Sequence, residues 1–94
     1  MKALLLAFAA AIGLGSGPAL AQGDALRARG CLTCHEMDRQ KVGPSFTDIA
    51  ARHKGDKSRA GEIVARMKEG KGHPKVAGSD AQLRAAVEAA LSAR

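Results

Sequence analysis

Cys31-Leu32-Thr33-Cys34-His35 is a C-x-x-C-H pentapeptide that holds the only two cysteines among 94 residues. Two thiols three positions apart on one helical turn reach both vinyl groups of a single porphyrin as thioethers. The imidazole that follows then lies beneath the iron, which makes the pentapeptide the attachment signature of a c-type haem. Three other chemistries use such cysteines. A Cys31–Cys34 disulfide suits an exported protein, but it closes a tiny loop, stabilises little and leaves His35 without a role. A redox dithiol of the thioredoxin kind belongs to a βαβ unit. A four-ligand structural zinc site usually recruits two such pairs. Haem attachment gives all three residues a task, and a zinc site would still need a fourth ligand.

Upstream of the motif, Met1-Lys2 is a short positive start and Ala3 to Ile12 an uncharged apolar stretch. Gly13 to Pro18 interrupt it, and Ala19-Leu20-Ala21 is an A-x-A pattern before Gln22. This is the order of a secretory signal peptide. Residues 1–21 are therefore expected to be cleaved, delivering 22–94 to the periplasm. The apolar run is too short to be a membrane anchor, which takes about 20 uninterrupted residues. No membrane span is expected after cleavage.

The chain carries 15 basic and 9 acidic residues, a net charge of +6, and losing the leader removes only Lys2. A basic balance first suggests nucleic acid. However, the Lys and Arg residues are scattered with no run of three, and aromatics are only 2% of the chain. That leaves no stacking platform for bases, so no nucleic-acid partner is expected. In residues 22–94 the large apolar side chains are Leu26, Leu32, Met37, Val42, Phe46, Ile49, Ile63, Val64, Met67, Val76, Leu83, Val87 and Leu91. Most other apolar positions are alanine. A chain this short buries only about 60% of its surface and commonly needs a staple, a part that a porphyrin would fill.

No stretch alternates β-branched or aromatic with polar residues, so strands are not expected. Helix signals recur instead. Asp24 is placed to cap a helix running through Ala25 to Arg29. Ser45 with Asp48 resembles a capping box ahead of Phe46, Ile49, Ala50 and His53, with a stop at Gly55. A third helix is expected from Arg59 to Glu69, with Ile63, Val64 and Met67 on one face and Gly70 at its end. Ser79 with Gln82 forms another box before the i, i+4, i+8 stripe Leu83, Val87, Leu91. The expected fold is all-α, one domain of four helices at 22–94 wrapped around one covalently attached haem. Gly70-Lys71-Gly72-His73-Pro74-Lys75-Val76-Ala77-Gly78 forms the loop before the last helix.

Several of these segments together resemble the small monohaem class I bacterial c-type cytochromes. They are Arg29-Gly30 before the pentapeptide, Lys41-Val42-Gly43-Pro44-Ser45-Phe46, Asp48-Ile49-Ala50-Ala51, the Gly-rich loop and Ser79-Asp80-Ala81. The resemblance covers nearly all of 22–94. It implies that Cys31 and Cys34 bind haem c, that His35 is the proximal iron ligand, and that the Pro44 carbonyl accepts the other ring N–H of His35. It also implies that the first and last helices cross near Gly30, where a simple helix stop is the alternative role for the glycine. Two departures stand out. Ala89 occupies the place of the family's aromatic at that crossing. The family's Met ligand from the last loop is missing, since no Met follows Met67, and His73 stands there instead. Pro74 biases His73 toward an extended backbone that projects its side chain. His73 is thus expected as the sixth ligand, with Met67 or an open site as alternatives. Met37 lies too close to the motif to cross to the other face, and His53 reads as a helix histidine.

The expected function is electron transport. The chain would be a monomeric carrier that passes single electrons between redox partners with acidic docking surfaces. No nucleophile–base pair or phosphate loop points to an enzyme. A haem-based binder of NO or CO, or a fixed cytochrome subunit of a periplasmic dehydrogenase, are the alternatives.

Overall fold

The computed structural model describes residues 18–94, with side chains from residue 23. The expected leader lies outside this range except for 18–21, which form the first turn of a helix. Helix α1 runs Pro18–Ala28, α2 Phe46–Arg52, α3 Ala60–Glu69 and α4 Asp80–Leu91. Single 3-10 turns occupy Cys31–Thr33 and Lys57–Arg59. The described residues contain helices and loops and no strand, which is the all-α architecture expected.

The caps explain most of the boundaries. Ser45 accepts the Asp48 amide at 3.1 Å to start α2, a bond that leaves its hydroxyl fully enclosed. Ser79 and Gln82 make the full reciprocal box at the head of α4: the Gln82 amide donates to Ser79 Oγ at 3.2 Å. In return, the Ser79 amide donates to Gln82 Oε1 at 3.0 Å. Gly70 ends α3 in the left-handed region. Asp24 differs from expectation. It lies inside α1 and pairs with Arg27 at 3.3 Å on the exposed face, because the Ala-rich stretch behind Pro18, a residue favoured at the first helical position, carries the helix further upstream.

Helix α4 is the hub. Its stripe of Leu83, Val87 and Leu91 packs with Ala60, Val64 and Met67 of α3. Its other buried side, Ala86, Ala89 and Ala90, packs with Leu26 of α1 and Phe46 of α2. Ile49 touches both clusters. Ala89 thus sits in the α1–α4 contact as expected. Gly30 does not. A side chain there would meet nothing within 4 Å, and its φ of +73° identifies it as the left-handed stop that ends α1. The glycine serves a turn, not a close approach.

Candidate haem site

The left-handed turn at Gly30 throws the chain directly into the 3-10 turn Cys31–Thr33. The amides of Cys34 and His35 both return to the Cys31 carbonyl, at 3.2 and 2.9 Å, so the three functional side chains share one closed turn. The segment after it folds back alongside. Gly43 donates its amide to the Cys34 carbonyl at 2.7 Å, Phe46 to Glu36 at 2.9 Å and Thr47 to Met37 at 3.0 Å. This stitching places the Pro44 carbonyl 2.5 Å from His35 Nδ1. A carbonyl can only accept, so Nδ1 is the donor of this bond, and a neutral ring held this way has its lone pair on Nε2. Two neighbours confine the ring. Phe46 lies with its centroid 5.4 Å away, tilted by 31°. Gly43 lies against it so closely that a Cβ there would stand 2.5 Å from His35 Cε1 and 2.9 Å from Nδ1.

The loop at 70–78 brings a second imidazole to the same place. It is braced at both feet. The Lys71 amide donates to Arg66 at 3.0 Å and the Val76 amide to Met67 at 3.1 Å, while Arg29 donates to the Ala77 carbonyl at 3.2 Å. His73 comes to rest with its ring centroid 6.1 Å from that of His35 and the two planes 6° from parallel. Its Nδ1 lies 2.7 Å from the Pro74 carbonyl, so here too Nδ1 is the donor. With Nδ1 engaged in this way on both rings, Nε2 is the nitrogen through which each could ligate a metal in its neutral form.

Relatives of known kind match this chain. It is 33% identical to a cytochrome c-552 of Hydrogenobacter thermophilus over 70 residues, covering 74% of this chain and 68% of the relative. It is 34% identical to a cytochrome c-551 of Pseudomonas aeruginosa over 64 residues, covering 61% of this chain and 62% of that one. A cytochrome c-552 of Nitrosomonas europaea matches at 33% over 63 residues, covering 67% of this chain and 61% of the relative. The chain belongs to the small c-type cytochromes. No family model and no solved structure matches it. Membership makes it an electron-transfer haem protein whose cofactor is covalently bound haem c with its iron.

The residues of this cytochrome fit such a group. Cys31 and Cys34 carry free thiols, both half-buried. Burial pushes the Cys31 thiol above its ordinary range, with its own backbone and Arg29 pulling the other way. That is the opposite of a reactive redox dithiol, which depends on a lowered thiol pKa. Leu32, Met37 and Val42 stand 39%, 49% and 77% exposed around the attachment segment, apolar surface of the kind a porphyrin covers. The spacing of the imidazoles fits as well. The rings of His35 and His73 lie with centroids 6.1 Å apart in planes 6° from parallel, near enough for both to serve one group.

The other candidates lie elsewhere. Met67 is buried in the α3–α4 core among Val64, Leu83 and Val87, where a thioether packs as a hydrophobe. Met37 is exposed. His53 caps the end of α2, its amide bonded to Ile49 and Ala51. Gly43 is a part of the site to which the sequence assigned no role; the Gly-Pro dipeptide is its only signal and reads first as a turn. For Pro74 the sequence indicated the extended backbone at His73, but not the bond its carbonyl accepts from the ring.

Proposed function

We propose that this cytochrome is a periplasmic carrier of single electrons whose haem is held by Cys31 and Cys34 and ligated by His35 and His73. The observation that carries the reading is the pair of near-parallel imidazoles, 6.1 Å apart, each with Nδ1 tied to a proline carbonyl. When bound, the group supplies a one-electron iron couple. The chain does the rest. Cys31 and Cys34 would keep the group from dissociating, and His35, backed by Pro44, would ligate its iron. His73 would be the second ligand and would exclude water and small molecules from the metal. A metal so held would have no place to bind substrate, which suits a carrier better than a ligand sensor.

A Met/His pair raises the potential of a cytochrome c. With His73 in place of a thioether, this cytochrome lies below c-type cytochromes that use a Met/His pair, so it exchanges electrons with lower-potential partners. Residues 1–21 act as a cleaved export signal, and no described helix is long and apolar enough to cross a membrane. The processed chain, at +5 by loss of Lys2 alone from the +6 total, attracts acidic partners at rates that fall with salt.

Axial ligation is tested by absorption spectroscopy of the purified, haem-loaded protein. The expected spectrum is six-coordinate and low-spin without added ligand. His73→Ala turns it high-spin, and His73→Met restores the low-spin form at a higher potential. A low-spin spectrum that survives His73→Ala but is lost in Met67→Ala overturns the assignment. A high-spin spectrum in the unmodified protein favours the small-ligand binder.

A further inference from the structure

We infer that Pro74 is a positioning residue that holds the His73 imidazole in one tautomer and one plane. The inference rests on the ligation proposed above and adds a second residue to it. The hydrogen bond from His73 Nδ1 to the Pro74 carbonyl, 2.7 Å, joins adjacent residues. It therefore exists only while the backbone between them keeps one conformation. Three features keep it so. The proline ring fixes its own φ near −65°. Proline also confines the preceding residue, His73, to extended backbone. Two residues beyond Pro74, the Val76 amide is anchored on the Met67 carbonyl at 3.1 Å, so the Pro74 carbonyl is fixed from both sides.

This matters because the bond is open to solvent, where water competes for the ring N–H. A histidine on an ordinary loop would exchange tautomers and turn its ring freely. Here the acceptor is already in place before the ring arrives. The outcome repeats the arrangement on the other side, where His35 donates to the Pro44 carbonyl from a stitched turn. Both imidazoles then present Nε2, and their planes lie 6° apart. A partner on the second ring nitrogen orients a ligating histidine and raises its basicity. Pro74 supplies that partner for His73 through its main chain.

The test compares wild type, Pro74→Ala and Pro74→Gly as full-length, haem-loaded proteins, with His73→Ala as reference. Two readouts are used: the electron paramagnetic resonance signal of the ferric low-spin state, which reports the angle between the axial ligand planes, and titration with cyanide, which displaces His73. Pro74→Gly is expected to stay low-spin but show a broadened or shifted resonance, with cyanide binding about 10–100-fold tighter as His73 holds the metal less well. Pro74→Ala should fall between. Unchanged resonance and cyanide affinity in Pro74→Gly overturn the positioning role while leaving ligation intact, and so does a lowered melting temperature alone. A low-spin spectrum that persists in His73→Ala overturns the ligation reading itself.

Discussion

Gly43 lacks a side chain where the His35 ring needs the room. A Cβ at that position would stand 2.5 Å from Cε1, closer than such atoms approach, and backbone bonds on both sides of the glycine prevent it from retreating. Gly43→Ala must therefore displace the imidazole and stretch its bond to Pro44. The expected cost is about 1–3 kcal/mol, that of an overpacked site, together with a weakened low-spin spectrum. Thermal melting and absorption of the haem-loaded variant check both, and an unchanged spectrum would show that the ring tolerates the extra methyl group. The pentapeptide was legible because its chemistry resides in side chains at a fixed spacing. His73 was expected from its place in the loop and the absence of any later Met, and the loop brings its ring beside that of His35. Gly43 was not legible, because it acts through an atom it lacks. Pro74 was legible for its effect on the His73 backbone but not for its carbonyl, a main-chain group that every residue carries. Gly30 was legible as a glycine that mattered, but its φ of +73°, and not helix contact, is what requires it.

The helices were readable where capping side chains and apolar stripes agree, as at Ser79 with Leu83, Val87 and Leu91. The start of α1 was not, because Asp24 is as good a cap as it is a surface helix residue and alanine extends a helix without announcing it. A short element between α2 and α3 carries its own pH signature. Asp56 heads the Lys57–Arg59 turn by accepting the Ser58 hydroxyl at 2.6 Å and the Ser58 amide at 2.9 Å. These bonds, the hydroxyl's first, hold its carboxyl below the usual range. A depressed folded-state pKa stabilises above the unfolded value of about 3.9, and that contribution disappears as pH falls through the folded value. Asp56→Asn should thus be less stable than wild type near neutral pH, with the gap closing in acid as the wild-type carboxyl takes up its proton. Urea melts across that range measure the gap, and a gap that stays constant with pH would rule out the ionised carboxylate as its source.

At the scale of the whole molecule the question is whether the polypeptide can hold itself together. Its buried large side chains are Leu26, Phe46, Val64, Met67, Leu83, Val87 and Leu91, with alanine filling the remaining buried apolar positions. They form two small clusters joined through Ile49. Leu32, Met37 and Val42, which the sequence offers as core, stay exposed beside the attachment turn and contribute only when an apolar group covers them. The ion pairs among the described residues are exposed, and such pairs add at most about 1 kcal/mol each. What remains must offset the conformational entropy of the whole chain. A short domain with so few large core residues depends on an added staple, and metal–ligand bonds formed only in the native state count fully toward folding. The Cys31→Ala/Cys34→Ala protein prepared without haem should therefore show little helix by far-ultraviolet circular dichroism and melt without a cooperative transition. Reattaching the cofactor in wild type should restore both signals together. Native-like helicity with a sharp melt in the haem-free double variant would mean that the two clusters suffice and that the cofactor is a guest in a preformed fold.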